Sequence, residues 1–175
     1  IHSATEKNCK VNIKWINAEE LEQKNIKDQL QNLNGVLVAP GFGDRGVEGK
    51  INAIQFVREN NIPFLGICLG MQCAVIEYAR NVLNMTDANS TEIDSKTKSP
   101  VINIMENQHN IENKGGTMRL GSYKCTLDKN SNSYNAYQNT KIQERHRHRY
   151  EFNNSYLNDF NNSGMNCVGE NPENK

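Results

Sequence analysis

Two stretches constrain this chain more than anything else in it: GVLVAPGFGDRG at 35–46 and IPFLGICLGMQ at 62–72. Each is a short apolar run, then a glycine-rich turn, then a segment with helical periodicity. Runs this short and continuous predict strands buried on both faces, as in a parallel sheet. Parallel neighbours need a crossover, and the intervening KINAIQFVREN supplies a helix. After the second turn, Met71, Ala74, Val75, Tyr78, Ala79, Val82 and Leu83 recur with helical spacing, so MQCAVIEYARNVLNM predicts a helix with one stripe facing a core.

The flanks extend this pattern. Val11, Ile13 and Trp15 alternate along VNIKWI and predict a strand. Asn17, with Glu20 three residues on, predicts an N-cap opening a helix through AEELEQKNIKDQL. From about residue 117, TMRLGSYKCTL and KIQERHRHRYEF alternate like antiparallel strands, with the asparagine-rich NSNSYNAYQNT (130–140) as a loop between them. The expected fold is α/β: a central, mostly parallel sheet flanked by helices, with an antiparallel extension, forming one domain over 1–175. Both ends read as truncated. Ile1 to Ala4 has the look of a helix tail, and NCVGENPENK runs into polar loop without a closing strand.

Lys and Arg total 20 and so do Asp and Glu, which gives no electrostatic reason to expect nucleic acid or an anionic membrane surface. No apolar run approaches the roughly 20 residues of a bilayer span. The five cysteines are odd in number and form no CxxC pair, which argues against a disulfide framework or structural zinc and fits a reducing cytoplasm. No metal site is expected.

Within the second turn, GICLG at 66–70 has the form of a nucleophile elbow with Cys68 as its nucleophile. A sharp strand-to-helix turn leaves no room for side chains beside it, and Gly66 and Gly70 meet that need. Cys68 then stands at a helix N-terminus, where backbone N–H groups favour negative charge. The same glycines would also serve a small buried cysteine in a tight turn. Cys73, inside the helix and beside its stripe, reads as packing. PGFGDRG (40–46) follows the other strand, and with Cys68 at the same sheet edge it becomes a candidate oxyanion hole, with donors at Gly41 and Leu69.

APGFGDRGVEGK, IPFLGICLGMQ, ANSTEID, GGTMRLG and ERHRHRYEFN resemble, in order and spacing, the amidotransferase domain of the CTP synthase family. The PFLGICLGMQ block alone resembles the wider class I (triad) glutamine amidotransferases, whereas GGTMRLG and ERHRHRYE are more specific. The resemblance implies that Cys68 attacks the side-chain amide of L-glutamine, with Gly41 and Leu69 as oxyanion donors. Phe42, Gly70, Met71, Gln72 and Tyr150 would line the glutamine site. Glu92 would receive the α-ammonium and Arg149 would bind the substrate. Arg119 and Arg45, in its lid-like loop, would respond to GTP, the allosteric activator. The glutaminase step would need no cofactor. ATP and Mg2+ would belong to a synthetase domain of the same polypeptide, absent here, which aminates UTP to CTP within a homotetramer.

Ala39-Pro40-Gly41-Phe42-Gly43 stands where the family often has PGGFG, and Gly41 aligns with the second glycine. The family's histidine base and its glutamate, in a His-Pro-Glu segment, are expected shortly after Lys175. None of His2, His109, His146 or His148 lies in such a segment. Without that base the chain would be a regulatory fragment binding glutamine or GTP. Another class I amidotransferase, or an unrelated cysteine hydrolase on a similar fold, are the remaining alternatives. Were RHRHR a strand, Arg145, Arg147 and Arg149 would share one face and His146, His148 and Tyr150 the other.

Overall fold

The computed structural model describes residues 2–104 and 119–173. Gly115 to Met118, and with them most of GGTMRLG, lie outside the described residues, as does His109. The first segment holds two short helices, α1 (His2–Glu6) and α2 (Ile26–Leu30). The strand expected at 11–16 does not form: Val11, Ile13 and Trp15 lie in irregular backbone and are exposed, Trp15 at 89%. Alternation becomes a strand only where a neighbour accepts and donates its hydrogen bonds, and no described strand pairs with this stretch. The long helix expected from Asn17 also breaks. Asn17 does cap a 3-10 turn at Ala18–Glu20, accepting the Glu19 N–H and donating to Glu20 Oε1. Asn25 then accepts the Glu22 N–H and donates to the Glu20 carbonyl, local bonds that replace the helical ladder.

β1 (Val36–Val38) and β2 (Phe64–Gly66) pair in parallel, with Val36 beside Phe64 and Val38 beside Gly66. Between them runs α3 (Val47–Glu59), and α4 (Leu69–Asn81) leaves the end of β2 through Cys68. Val38, Ile51, Ile54, Leu69, Val75 and Ile76 join one core, and Val36 and Phe64 pack against it. The opposite face is open: Leu37 is 58% and Leu65 56% exposed, so burial on both faces is corrected to burial on one among the described residues.

Helix α4 is buried more broadly than its stripe predicts. Cys73 and Ile76 are inaccessible while Met71 is 40% exposed. The reason is that α4 touches α3 and strands on more than one side. The helix stops at Asn81, short of the expected Met85. Arg80, in its last turn, donates to the Ala88 carbonyl at 2.8 Å and so ties the helix to the next strand.

That strand, β3 (Ala88–Ser90), pairs in parallel with β4 (Ser99–Ile104). The antiparallel extension is a hairpin of β5 (Arg119–Leu127) and β6 (Lys141–His148), with Arg119 opposite His148. Its connection contains a helix, α5 (Asn132–Tyr137), where a plain loop was expected, because the Ser131 hydroxyl caps the Tyr134 N–H. The second expected strand is interrupted at Arg149. β7 (Tyr150–Phe152) leaves the hairpin and pairs antiparallel with β4, Ile102 opposite Phe152. The one-strand alternation therefore holds through His148, with Arg145 and Arg147 exposed and His146 and His148 half-buried, but Arg149 is half-buried and off that face. Helix α6 (Leu157–Ser163) inserts Phe160 against Phe152 and Tyr78, and β8 (Gly169–Glu170) closes onto β5 where polar loop was expected. No helix among the described residues is long and apolar enough to cross a membrane.

Candidate active site

The strand-to-helix turn after β2 has the geometry that GICLG requires. Cys68 adopts φ 54° and ψ −107°, a left-handed backbone that a side-chain-bearing residue enters only under constraint. The constraint is contact on both sides. A Cβ on Gly66 would lie 2.6 Å from the Gly70 carbonyl carbon and oxygen, and a Cβ on Gly70 would lie 2.3 Å from the Val38 carbonyl oxygen. The Ile67 N–H also donates to that Val38 carbonyl, at 3.0 Å. Cys68 is thus held at the carboxyl end of the two parallel strands, half-buried, immediately before the first turn of α4. Cys73 is its opposite: fully buried inside the helix, with burial pushing its thiol up to about 11.

The glycine loop after β1 lies against this turn. A Cβ on Gly41 would stand 3.2 Å from Leu69 Cδ2, so the two proposed oxyanion positions are neighbours. Gly43, at φ 72°, donates its N–H to Glu92 Oε1 at 3.2 Å. Glu92 lies just past β3 in a turn held by Ser90, which is buried and accepts the Glu92 N–H on its hydroxyl at 3.2 Å. Phe42, between the two glycines, is 88% exposed.

A third segment arrives from β7. Gln72, buried one turn into α4, donates from Nε2 to the Tyr150 carbonyl at 3.1 Å. Burial pushes the Tyr150 hydroxyl above its ordinary range, the Glu92 carboxylate adds to that rise and Arg149 opposes it, so both charges act on one ring. Four parts separated in sequence, around 41, 68, 92 and 150, therefore meet beside the elbow. A thiol on a strained strand-to-helix turn, with the glycine loop against the residue that follows it and Glu92 bonded to that loop, is a geometry compatible with nucleophilic attack.

The two arginines assigned to an effector part company. Arg119 Nη1 pairs at 3.2 Å with Oε2 of Glu151, one residue along the chain from Tyr150, and its guanidinium lies 5.2 Å from the Tyr123 ring centre. Arg45 instead pairs with Glu19, on the 3-10 turn. His146 stacks edge-on with Tyr123, and His148 Nε2 lies 3.8 Å from Glu151 Oε2. The described contacts of both histidines thus run within the hairpin and to β7. Ser90 and Glu151 lie inside the motifs ANSTEID and ERHRHRYEFN, yet neither is assigned a role from sequence: Ser90 acts through a local bond to Glu92 and Glu151 through its pairing with Arg119.

The family model for "Glutamine amidotransferase class-I" matches residues 1–175. The chain belongs to the class-I glutamine amidotransferases. This amidotransferase chain is 59% identical over 175 residues to a CTP synthase of Cytophaga hutchinsonii, covering 100% of the chain and 32% of that protein. It is 55% identical over 174 residues to a CTP synthase of Clostridium acetobutylicum, covering 99% of the chain and 32% of that protein. The chain thus spans about a third of the length of these relatives. Among solved structures, the glutaminase domain of Trypanosoma brucei CTP synthase with bound acivicin superposes with a TM-score of 0.89 at 37% identity, over 96% of this chain and 65% of that one.

Proposed function

We propose that this amidotransferase hydrolyses L-glutamine through Cys68 and supplies ammonia for the ATP-dependent amination of UTP to CTP in the whole polypeptide. The observation that carries the proposal is the left-handed backbone of Cys68 between Gly66 and Gly70, neither of which has room for a Cβ.

In this mechanism the Cys68 sulfur attacks the side-chain amide carbon of glutamine. The carbonyl oxygen becomes an oxyanion facing the N–H groups of Leu69 and Gly41, donors of a kind worth about 10²–10³ in rate. The C–N bond breaks, the nitrogen takes a proton and leaves as ammonia, and a glutamyl thioester remains. Water then attacks that thioester and releases glutamate and the thiol. Glu92 binds the substrate's α-ammonium and Arg149 its α-carboxylate, matching one negative partner and one fork of donors to an amino acid. Phe42, Gly70, Met71, Gln72 and Tyr150 complete the walls. By the resemblance to the family, the proton donor would be the histidine of a His-Pro-Glu segment; His146 and His148, which lie against Tyr123 and Glu151, are not given that role.

Ammonia would pass to a synthetase domain that binds ATP and Mg2+. GTP would act through Arg119 and the loop bearing Arg45, in a cytoplasmic homotetramer. The test is glutamate release by the complete polypeptide, with and without Cys68→Ala. Release that depends on Cys68 and rises with GTP supports the proposal. Absence of release from the complete wild-type protein, under conditions where it makes CTP from free ammonia, contradicts it.

A further inference from the structure

The hydrogen bond between Gly43 and Glu92 joins two parts to which the mechanism gives separate tasks: the loop that carries an oxyanion donor, and the carboxylate that receives the α-ammonium. The two sides are built differently. On the loop side, Gly43 and Gly46 adopt φ 72° and φ 66°, and a Cβ on Gly43 would meet nothing within 4 Å. Such a glycine is needed for its backbone angle, not for a tight fit, and glycine segments of this kind have many alternative conformations.

On the other side Glu92 is built in. Its N–H is held by the Ser90 hydroxyl, the Asp94 N–H donates to the Ser90 carbonyl at 2.9 Å, and the Thr91 N–H donates to the Ile102 carbonyl at 3.0 Å. The Thr91 hydroxyl donates to Asn103 Oδ1 at 2.9 Å, binding the same turn to β4. Glu92 thus stands on a turn tied to β4, and its carboxylate ties Gly43 to that turn, whereas the Arg45–Glu19 pair holds the loop farther along.

We infer that Glu92 is a positioning residue for the oxyanion loop: by holding the Gly43 N–H it fixes where Gly41, two residues earlier, presents its own. This rests on the roles of Gly41 and Glu92 proposed above. Oε1 serves the loop, and Oε2 is left to accept from the α-ammonium, since a carboxylate has acceptor sites on both oxygens. One side chain would then couple recognition of the amino-acid end of the substrate to stabilisation of charge at the amide end.

The test compares the complete polypeptide as wild type, Glu92→Gln and Glu92→Ala. Glutamine keeps an oxygen that can accept the Gly43 N–H but loses the charge; alanine loses both. Hydrogen–deuterium exchange of the 41–46 amides is measured without substrate, and glutaminase KM and kcat are measured separately. The expected result is a raised KM in both variants. In Glu92→Ala alone, the 41–46 amides exchange several-fold faster and kcat falls by about 10², the effect of a misplaced oxyanion donor. Exchange at 41–46 that is the same in all three proteins overturns the inference, and so does an equal kcat in the two variants. A wild type without glutaminase activity, showing the expected exchange pattern, would sink the proposed reaction and leave the loop anchor standing.

Discussion

Gly70, in the first turn of α4, lies directly against Val38 at the end of the neighbouring strand, so close that a Cβ on Gly70 would stand 2.3 Å from the Val38 carbonyl oxygen. Backbone cannot give way as the end of a side chain can, so Gly70→Ala must push α4 from β1 and move Cys68. Overpacking of this kind usually destabilises by about 1–3 kcal/mol. A urea titration of Gly70→Ala should show that loss, with glutaminase activity falling much further than the folded fraction. A variant with unchanged activity would mean that the elbow does not need this contact.

The Arg58–Glu77 pair predicts an asymmetry. Glu77 is 1% exposed and takes three hydrogen bonds from the Arg58 guanidinium, at 3.1, 3.0 and 2.7 Å, plus one from Asn81. Arg58→Ala strands a buried carboxylate and should destabilise by about 3–5 kcal/mol. Glu77→Ala should be milder, because Arg58 is a third exposed and can turn to water. Paired denaturation curves of the two variants check the order; equal losses would contradict it.

Cys73 supplies a prediction at high pH. Its folded value of about 11 lies above the ordinary 9.0, so between these pH values the unfolded chain gives up a proton that the folded chain keeps. Stability is therefore lost as pH rises from 9 towards 11, by about 2 kcal/mol at the top of that window. Cys73→Ala should lower stability at neutral pH and flatten this slope. In the wild type at pH 8, a small maleimide should modify the exposed Cys9 and Cys167 and leave Cys73 untouched until urea is added.

Acid should loosen the joint between the β5–β6 hairpin and β7. Burial lowers the His146 value below 6.5, with His148 and Arg119 adding to the effect, so stability falls as pH drops below 6.5 and the unfolded chain takes up a proton. His148, whose Nε2 lies 3.8 Å away, and then the Arg119 charge lower the Glu151 value below 4.5, so its contribution is lost as pH falls further. Both act in the same direction. His146→Gln should weaken the pH dependence between 6.5 and 5, read from thermal midpoints across that range. An unchanged profile would contradict the assignment.

The parallel pair β1–β2, the helix between them and the cysteine elbow were legible because each rests on local chemistry: short apolar runs, helical periodicity and glycines at fixed offsets. What failed depended on distant partners. VNIKWI carries a strand pattern but has no described neighbour to pair with, and Leu37 and Leu65 read as core but face outward. Asn25 broke a helix through two side-chain bonds that periodicity does not register. The site shows the same division. Cys68 announces itself by its neighbours in sequence, whereas the meeting of Glu92 with Gly43 spans 49 positions and that of Gln72 with Tyr150 spans 78. Residue types alone do not encode such distances; the resemblance to a family brought these residues together before the fold did.

The account depends most on Cys68 being the nucleophile for glutamine. The direct measurement is the intact mass of the complete polypeptide after treatment with a glutamine-analogue diazoketone, in wild type and Cys68→Ala, followed by peptide mapping. The account predicts one adduct per chain in the wild type, located on Cys68, blocked by excess L-glutamine and absent from Cys68→Ala. An adduct of equal yield in Cys68→Ala, or one mapped to Cys9, Cys125 or Cys167, would contradict it.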